Sequence, residues 1–187
     1  MALVAKGFRV TAVEPAHRAN ITATRHLAAR GLSAAIIEGF FEDVALPGRF
    51  DAIVFSYCCY SFIPDARRRV AVLRKAGDHL APDGRIIVSY LTEKPGHPIL
   101  IGLARAAAAV TRSDWRPTRG DILYPIDTTA PLYHYEHAFQ MEEIEAEVSE
   151  AGLRVAHRCA FAVNPVVVLM RGDGPTVEAE WERRVVG

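Results

Sequence analysis

The fold is decided by the stretch Phe8-Arg9-Val10-Thr11-Ala12-Val13-Glu14-Pro15. Its apolar and β-branched residues predict a short buried strand over residues 8–14 that ends on a carboxylate. In α/β sheets that bind nucleotides, an acid at the carboxyl end of the second strand accepts hydrogen bonds from the ribose hydroxyls. Glu14 is therefore a candidate binding residue, and the alternative is an ordinary exposed residue at the end of a strand.

Outward from this strand, the sequence alternates between strand and helix patterns. The predicted strands cover residues 33–38, 51–56 and 85–91, and the predicted helices cover 16–30, 140–151 and a segment capped by Asp65. The run at 51–56 is continuously apolar, as in parallel strands covered on both faces. Two last strands, near 153–161 and 165–170, predict an antiparallel hairpin. The fold class is α/β, with a doubly wound, mostly parallel sheet.

The segment from Thr92 to His137 interrupts this alternation. It contains five prolines, an alanine-rich helix near 99–112 and many aromatic residues. Long irregular insertions in compact domains are usually lids or binding loops, so we expect a lid at about 92–137. The whole domain is expected to cover 1–171, followed by a polar extension with a short helix at 172–187.

Composition excludes several classes of partner. Lys plus Arg equals Asp plus Glu, 22 against 22, so nothing in the charge predicts nucleic-acid binding. Accordingly, Arg67-Arg68-Arg69 is interpreted as a solvated helix face. The longest apolar run, 98–110, is too short to span a membrane and contains Arg105. Three cysteines, with Cys58 and Cys59 adjacent, predict reduced thiols and a cytoplasmic protein.

Several segments share their order with one enzyme family. They are Val10–Pro15, Gly39–Asp43 followed by Leu46–Asp51, Ile53–Ser56, Leu80–Val88 and Phe139–Ile144 with Glu150–Leu153. In this order the chain resembles the class I methyltransferases that use S-adenosylmethionine, over residues 1 to about 171. The turn Leu80-Ala81-Pro82-Asp83-Gly84 is similar to the family's "LkPGG" turn before the fifth strand.

The resemblance implies S-adenosyl-L-methionine as the cofactor and assigns residues to it. The ribose acid is at Glu14, the adenine segment after the third strand is at Phe40, and the methionine end is at the close of the fourth strand. The family's aspartate for the adenine amine is absent, so stacking and backbone contacts are expected there. The cofactor-binding residues implied are Glu14, Pro15, Phe40, Phe41, Ser56 and Tyr57.

Methyl transfer is an in-line displacement that needs positioning and, for a weakly acidic acceptor, a general base. The candidates are His134 and Tyr133, and His134 is the first choice because an unperturbed imidazole titrates near neutral pH. A hydrogen-bonded loop histidine and tyrosines in a lid core are the alternatives. Aromatic faces such as Tyr57, Tyr60 and Tyr133 could attract a sulfonium. His134 and His137 lack a third ligand at a recognised spacing, so no metal is predicted.

The family's first strand and Gly-x-Gly-x-Gly loop have no counterpart in the sequence. Residues 1–7 resemble the last turn of the helix that follows this loop. A shortened chain, a second polypeptide that supplies the strand and direct pairing of the flanking strands all stay open. Direct pairing would give a compressed sheet without cofactor activity. For this chain alone we expect weak or absent cofactor binding.

The expected reaction is methyl transfer to a small molecule. The alternatives are a nicotinamide-dependent oxidoreductase, which also uses a strand-end acid, and a non-catalytic partner of an active methyltransferase. The expected partners are a small-molecule substrate and either a second copy or a complementing chain.

Overall fold

The computed structural model describes residues 1–92, 98–113, 115, 117–125, 133–159 and 165–172. The chain divides into an N-terminal unit, Met1–Pro47, and a C-terminal unit, Gly48–Gly187. In the described part of the chain, no helix is long and apolar enough to cross a membrane. The expected polar extension at 173–187 lies outside the described residues.

The N-terminal unit is a small parallel β-α-β arrangement. It comprises α1 (Ala2–Ala5), β1 (Thr11–Glu14), α2 (His17–Ala28) and β2 (Ala35–Glu38). β1 and β2 pair in parallel, in a register that sets Glu14 beside Glu38. The short helix α1 agrees with the resemblance of residues 1–7 to the last turn of a helix. The strand predicted at 8–14 is shorter and only half-buried, because Phe8 is exposed and the ladder begins at Thr11.

The C-terminal unit contains the main core. In chain order its elements are β3 (Phe50–Phe55), a 3₁₀ turn (Cys59–Phe62), α3 (Ala66–Asp78), β4 (Leu80–Ser89), β5 (Leu91–Thr92), α4 (Pro98–Val110), β6 (Asp121–Pro125), β7 (Tyr133–Phe139), α5 (Met141–Glu150), β8 (Leu153–Cys159) and β9 (Val166–Arg171).

One sheet of this unit has the strand order β3-β4-β9-β8. β3 and β4 are parallel, whereas β9 is antiparallel to both β4 and β8, which confirms the predicted terminal hairpin. Alternate residues of the sheet, including Ile53, Ile86 and Leu169, form the core. The expectation that β3 is covered on both faces is wrong, because Val54 is 48% exposed while Ile53 and Phe55 are buried.

α3 packs its apolar face inward and begins where the sequence indicates. The Asp65 side chain accepts a hydrogen bond from the Arg67 backbone N–H at 2.8 Å, which caps the helix. Val70, Leu73 and Ala76 are buried. The interpretation of Arg69 as solvated is wrong: its side chain is 1% exposed, because α5 supplies a carboxylate that compensates its charge.

The insertion is more regular than predicted. α4 begins and ends within two residues of the expected helix. β5, β7 and β6 form a three-stranded sheet, with β7 parallel to β5 and antiparallel to β6. The segment from Tyr133 to His137, interpreted as the end of an irregular loop, is therefore a strand. Residues 93–97, 114, 116 and 126–132 of the expected lid lie outside the described residues.

Candidate functional site

In the N-terminal unit, two glutamates end neighbouring parallel strands, and we call this place the glutamate edge (Glu14 and Glu38). One carboxylate oxygen of Glu14 accepts a hydrogen bond from the Ala16 N–H at 2.9 Å. Its second oxygen has no hydrogen-bond partner among the described residues. The carboxyl ends of parallel strands are the usual place for ligands in open α/β sheets.

Glu38 differs from Glu14 because its carboxylate has side-chain hydrogen-bond partners. Its Oε2 atom lies 2.8 Å from Nδ1 of His17 and accepts a hydrogen bond from Nδ2 of Asn20 at 3.2 Å. The hydrogen bond with His17, and then that with Asn20, lower the pKa of the Glu38 carboxyl. The same Asn20 amide donates to the Glu14 carbonyl oxygen at 3.1 Å, which ties the two strand ends together.

The aromatic pair predicted to contact adenine follows β2 directly. Gly39 has a φ of 145°, and a Cβ atom there would lie 2.6 Å from Val44, so the turn needs glycine. The turn leaves the Phe40 ring 59% exposed, while Phe41 is half-buried. Glu14, Pro15, Phe40 and Phe41 thus all lie at or just beyond the ends of two paired strands.

In the C-terminal unit, residues 56–62 connect β3 to the segment before α3, and we call them the β3 loop. Ser56 and Tyr57 are exposed. Tyr57 and Cys58 have φ values of 51° and 58°, in the left-handed region that residues with a Cβ atom rarely adopt. Cys58 is buried, and burial raises the pKa of its thiol, so it packs as a small apolar residue.

His134, the first candidate base, is a strand residue rather than a loop residue. Its Nε2 atom lies 3.2 Å from Oε1 of Glu136, two positions along the same face of β7. The Phe62 ring of the β3 loop meets the His134 ring edge-on, with centroids 5.1 Å apart. The structure therefore brings His134 to the β3 loop. The Tyr133 side chain lies outside the described part of the structure.

His137, to which the sequence assigns no site, is the buried histidine of this strand. Nδ1 lies 2.6 Å from Oδ1 of Asp121, and Nε2 lies 2.9 Å from Oε1 of Glu143. Burial alone would lower the pKa of His137, but the hydrogen bonds with Asp121 and Glu143 outweigh it and raise that pKa. The imidazole ring thus links β6, β7 and α5.

A second buried network joins α3, α5 and the β3 loop. Arg69 donates to Glu147 through Nη2 at 2.6 Å and through Nε at 2.9 Å. The Tyr60 hydroxyl donates to the other Glu147 oxygen at 2.6 Å. Burial, and then the Glu147 charge, raise the pKa of Tyr60, so its phenol stays protonated. The interpretation of Tyr60 as a ligand-facing ring is wrong, since it is buried and stacks on Phe139 with centroids 5.4 Å apart.

Neither network is arranged as a metal centre. Within the described residues, no group of three or more His, Cys, Asp or Glu side chains could hold a metal ion. The clusters combine carboxylates with cationic partners, which neutralise the charge that a metal would need. Their structural role is to fasten β6, β7 and the β3 loop to the helices.

Comparison with solved structures matches the chain to many S-adenosylmethionine-dependent methyltransferases. One from Clostridium acetobutylicum ATCC 824 has a TM-score of 0.65 at 15% identity, over 91% of this chain and 78% of that chain. The glycopeptide N-methyltransferase MtfA, complexed with S-adenosyl-L-homocysteine, has a TM-score of 0.61 at 18% identity, over 90% of this chain and 75% of that chain.

A third match is an O-methyltransferase from neocarzinostatin biosynthesis, NcsB1, in complex with S-adenosylmethionine and 2-hydroxy-5-methyl naphthoic acid. Its TM-score is 0.59 at 18% identity, over 91% of this chain and 44% of that chain. No protein-family model matches the sequence, and no curated protein matches it. The chain has the class I methyltransferase fold, as the sequence predicts.

Proposed function

We propose that this protein transfers a methyl group from S-adenosylmethionine to a small organic acceptor. The observation that carries the proposal is the difference between two adjacent strand-end acids. The Glu38 carboxylate is hydrogen-bonded to the side chains of His17 and Asn20. Glu14, in contrast, keeps one carboxylate oxygen without a hydrogen-bond partner among the described residues. The two hydroxyls of a ribose require a hydrogen-bond acceptor in this position.

The residues present fit the adenosine part of the cofactor. The two ribose hydroxyls would donate to Glu14, and Pro15 would line the turn that follows. The exposed Phe40 ring, together with Phe41, offers an apolar surface on which adenine would stack. Their positions at the ends of two paired strands support a single binding surface.

For the methionine end, the candidates are Ser56 and Tyr57 in the β3 loop. S-adenosylmethionine, when bound, supplies a methyl group on a positively charged sulfur. The Tyr57 ring is 89% exposed and can offer its electron-rich face to such a cation. Ser56 offers a hydroxyl for the polar end of the amino acid.

His134 is the proposed general base, with Tyr133 as the second candidate. Its imidazole is partly exposed and can receive the proton of a weakly acidic acceptor. The neighbouring Glu136 carboxylate, 3.2 Å away, would stabilise the imidazolium that forms. This arrangement favours acceptors that must lose a proton as they are methylated, such as acidic hydroxyl groups.

A small organic acceptor is supported by charge and by the aromatic surroundings. The chain has no net charge with which to attract a nucleic-acid backbone. Phe62 of the β3 loop meets the His134 ring edge-on, which gives an acceptor an aromatic surface beside the proposed base. The cytoplasmic location, the absence of nucleic-acid and membrane partners, and assembly with a second copy or a complementing chain stay predictions from the sequence.

The proposal is tested by incubating the full chain with methyl-labelled S-adenosylmethionine and a panel of phenols, aromatic acids and amines. We expect labelled product with at least one acidic acceptor, and loss of most turnover in Glu14→Gln. Glu38→Gln, at the same edge, is the matched control and should keep most of its activity. In a parallel thermal-shift assay, stabilisation by NADH but not by S-adenosylhomocysteine would replace the proposal with a nicotinamide-dependent oxidoreductase.

A further inference from the structure

The β3 loop holds two consecutive residues in a conformation that neither prefers. Tyr57 and Cys58 both have positive φ values, and neither is glycine. Such strain persists only where the surrounding structure over-determines the backbone, and it concentrates at ligand sites. Burial of the Tyr57 side chain cannot compensate for it, because this ring is 89% exposed.

A serine at the end of the neighbouring strand holds this strained turn. The Ser89 hydroxyl accepts a hydrogen bond from the Cys58 N–H at 2.8 Å and donates one to the Phe55 carbonyl at 3.1 Å. Val88, the preceding residue, pairs with Phe55 in the β3-β4 ladder. Ser89 therefore bridges the last residue of β3 and the second strained residue, on either side of Ser56 and Tyr57.

Further contacts fix the later part of the β3 loop. The Ser61 hydroxyl accepts a hydrogen bond from the Leu91 N–H at 2.9 Å. The Ser61 N–H donates to the Cys58 carbonyl at 2.8 Å. Tyr60 is anchored through its hydroxyl to Glu147. Ser89 thus spans the exposed first part of the loop, and Ser61 and Tyr60 fix its later part.

We infer that Ser89 is a positioning residue for cofactor binding, an inference that rests on the proposed function. By holding the Cys58 N–H and the Phe55 carbonyl, its hydroxyl keeps Ser56 and Tyr57 in the geometry that receives the methionine end of the cofactor. A loop already ordered before binding loses less conformational entropy when the ligand arrives. The free-energy cost of the strained backbone arises during folding, so cofactor binding adds no further cost of this kind.

The test measures the affinity of the full chain for S-adenosylhomocysteine by NMR chemical-shift titration, which resolves weak binding. Ser89→Ala removes both hydrogen bonds, and we expect the affinity to fall about tenfold. Ser89→Thr keeps a hydroxyl and should restore the affinity to within about threefold of wild type. Ser61→Ala is the matched control, because it removes a buried hydroxyl from the same loop.

Ser61→Ala should lower the melting temperature but leave the affinity within about threefold of wild type. If Ser89→Ala is destabilised yet binds with the wild-type affinity, the role of Ser89 is only structural and the inference is wrong. An equal loss of affinity in Ser61→Ala would also overturn it. If Ser89→Ala does not fold, Ser89→Cys, whose thiol is a weak donor and acceptor, replaces it, and wild-type affinity in that variant again overturns the inference.

The wild-type titration separates failure of the proposed function from failure of the Ser89 inference alone. If wild type shows no shift changes with S-adenosylhomocysteine, the proposed function fails, and the inference fails with it. If wild type binds and Ser89→Ala binds equally well, only the inference fails.

Discussion

The buried pair Arg69–Glu147 allows a quantitative prediction about stability. The two side chains are 1% and 5% exposed, and Glu147 also accepts the Tyr60 hydroxyl. Glu147→Met keeps the side-chain volume but leaves the Arg69 charge, among the described residues, with only the more distant Glu143 carboxylate, at 3.4 Å. Removing one partner of a buried pair costs about 3–5 kcal/mol. At about 2–4 °C per kcal/mol for a chain of this size, the melting temperature should fall by about 6–20 °C.

The assay is urea and thermal unfolding followed by circular dichroism, with Glu145→Met as the matched control. Glu145 lies on the same helix, and its partner Arg158 is about half exposed. Exposed pairs contribute about 0–1 kcal/mol, so this control should change little. The double variant Arg69→Met/Glu147→Met should be more stable than Glu147→Met, because it leaves no uncompensated charge. A loss below about 1 kcal/mol in Glu147→Met would refute the reasoning.

Three further predictions follow from local geometry. The pKa of His137 is raised in the folded protein, so the stabilisation of the fold by this histidine is complete below its unfolded pKa of 6.5 and is lost as pH rises through the folded pKa. Chemical unfolding at a series of pH values across this range should show a falling free energy of unfolding in wild type and not in His137→Gln. Asp65→Ala should lose about 1 kcal/mol by removing the cap of α3, and an equal stability in urea unfolding would contradict the cap. Tyr57→Gly should raise the melting temperature by relieving a positive φ and at the same time weaken S-adenosylhomocysteine binding, whereas Arg112→Gly, which relieves a φ of 53°, should change only the melting temperature.

The sequence was most informative where the physical signal is local. The Asp65 cap and the apolar run of β3 each depend on neighbours within a few residues. The position of Glu14 at a strand end also follows from such a run. Local patterns of this kind predict the α/β fold correctly, and the strand patterns near 153–161 and 165–170 predict the terminal hairpin correctly.

The features that the sequence did not reveal depend on distant partners. Arg69 is buried only because Glu147, 78 residues later, compensates its charge. The strand at 133–139 forms because β5 and β6 pair with it on both sides. Glu38 differs from Glu14 through His17, 21 residues earlier. No window of neighbouring residues contains these contacts, so composition alone placed Arg69 in solvent.

The most direct test of the account is a titration of S-adenosylhomocysteine into the wild-type chain and Glu14→Gln, followed residue by residue in NMR spectra. We predict saturable binding, weaker than low micromolar, with shift changes at Glu14 and Phe40. The affinity of Glu14→Gln should be lower by about tenfold or more. An unchanged spectrum of the wild-type chain, or equal affinity in the two proteins, would contradict the central claim that Glu14 binds the ribose of the cofactor.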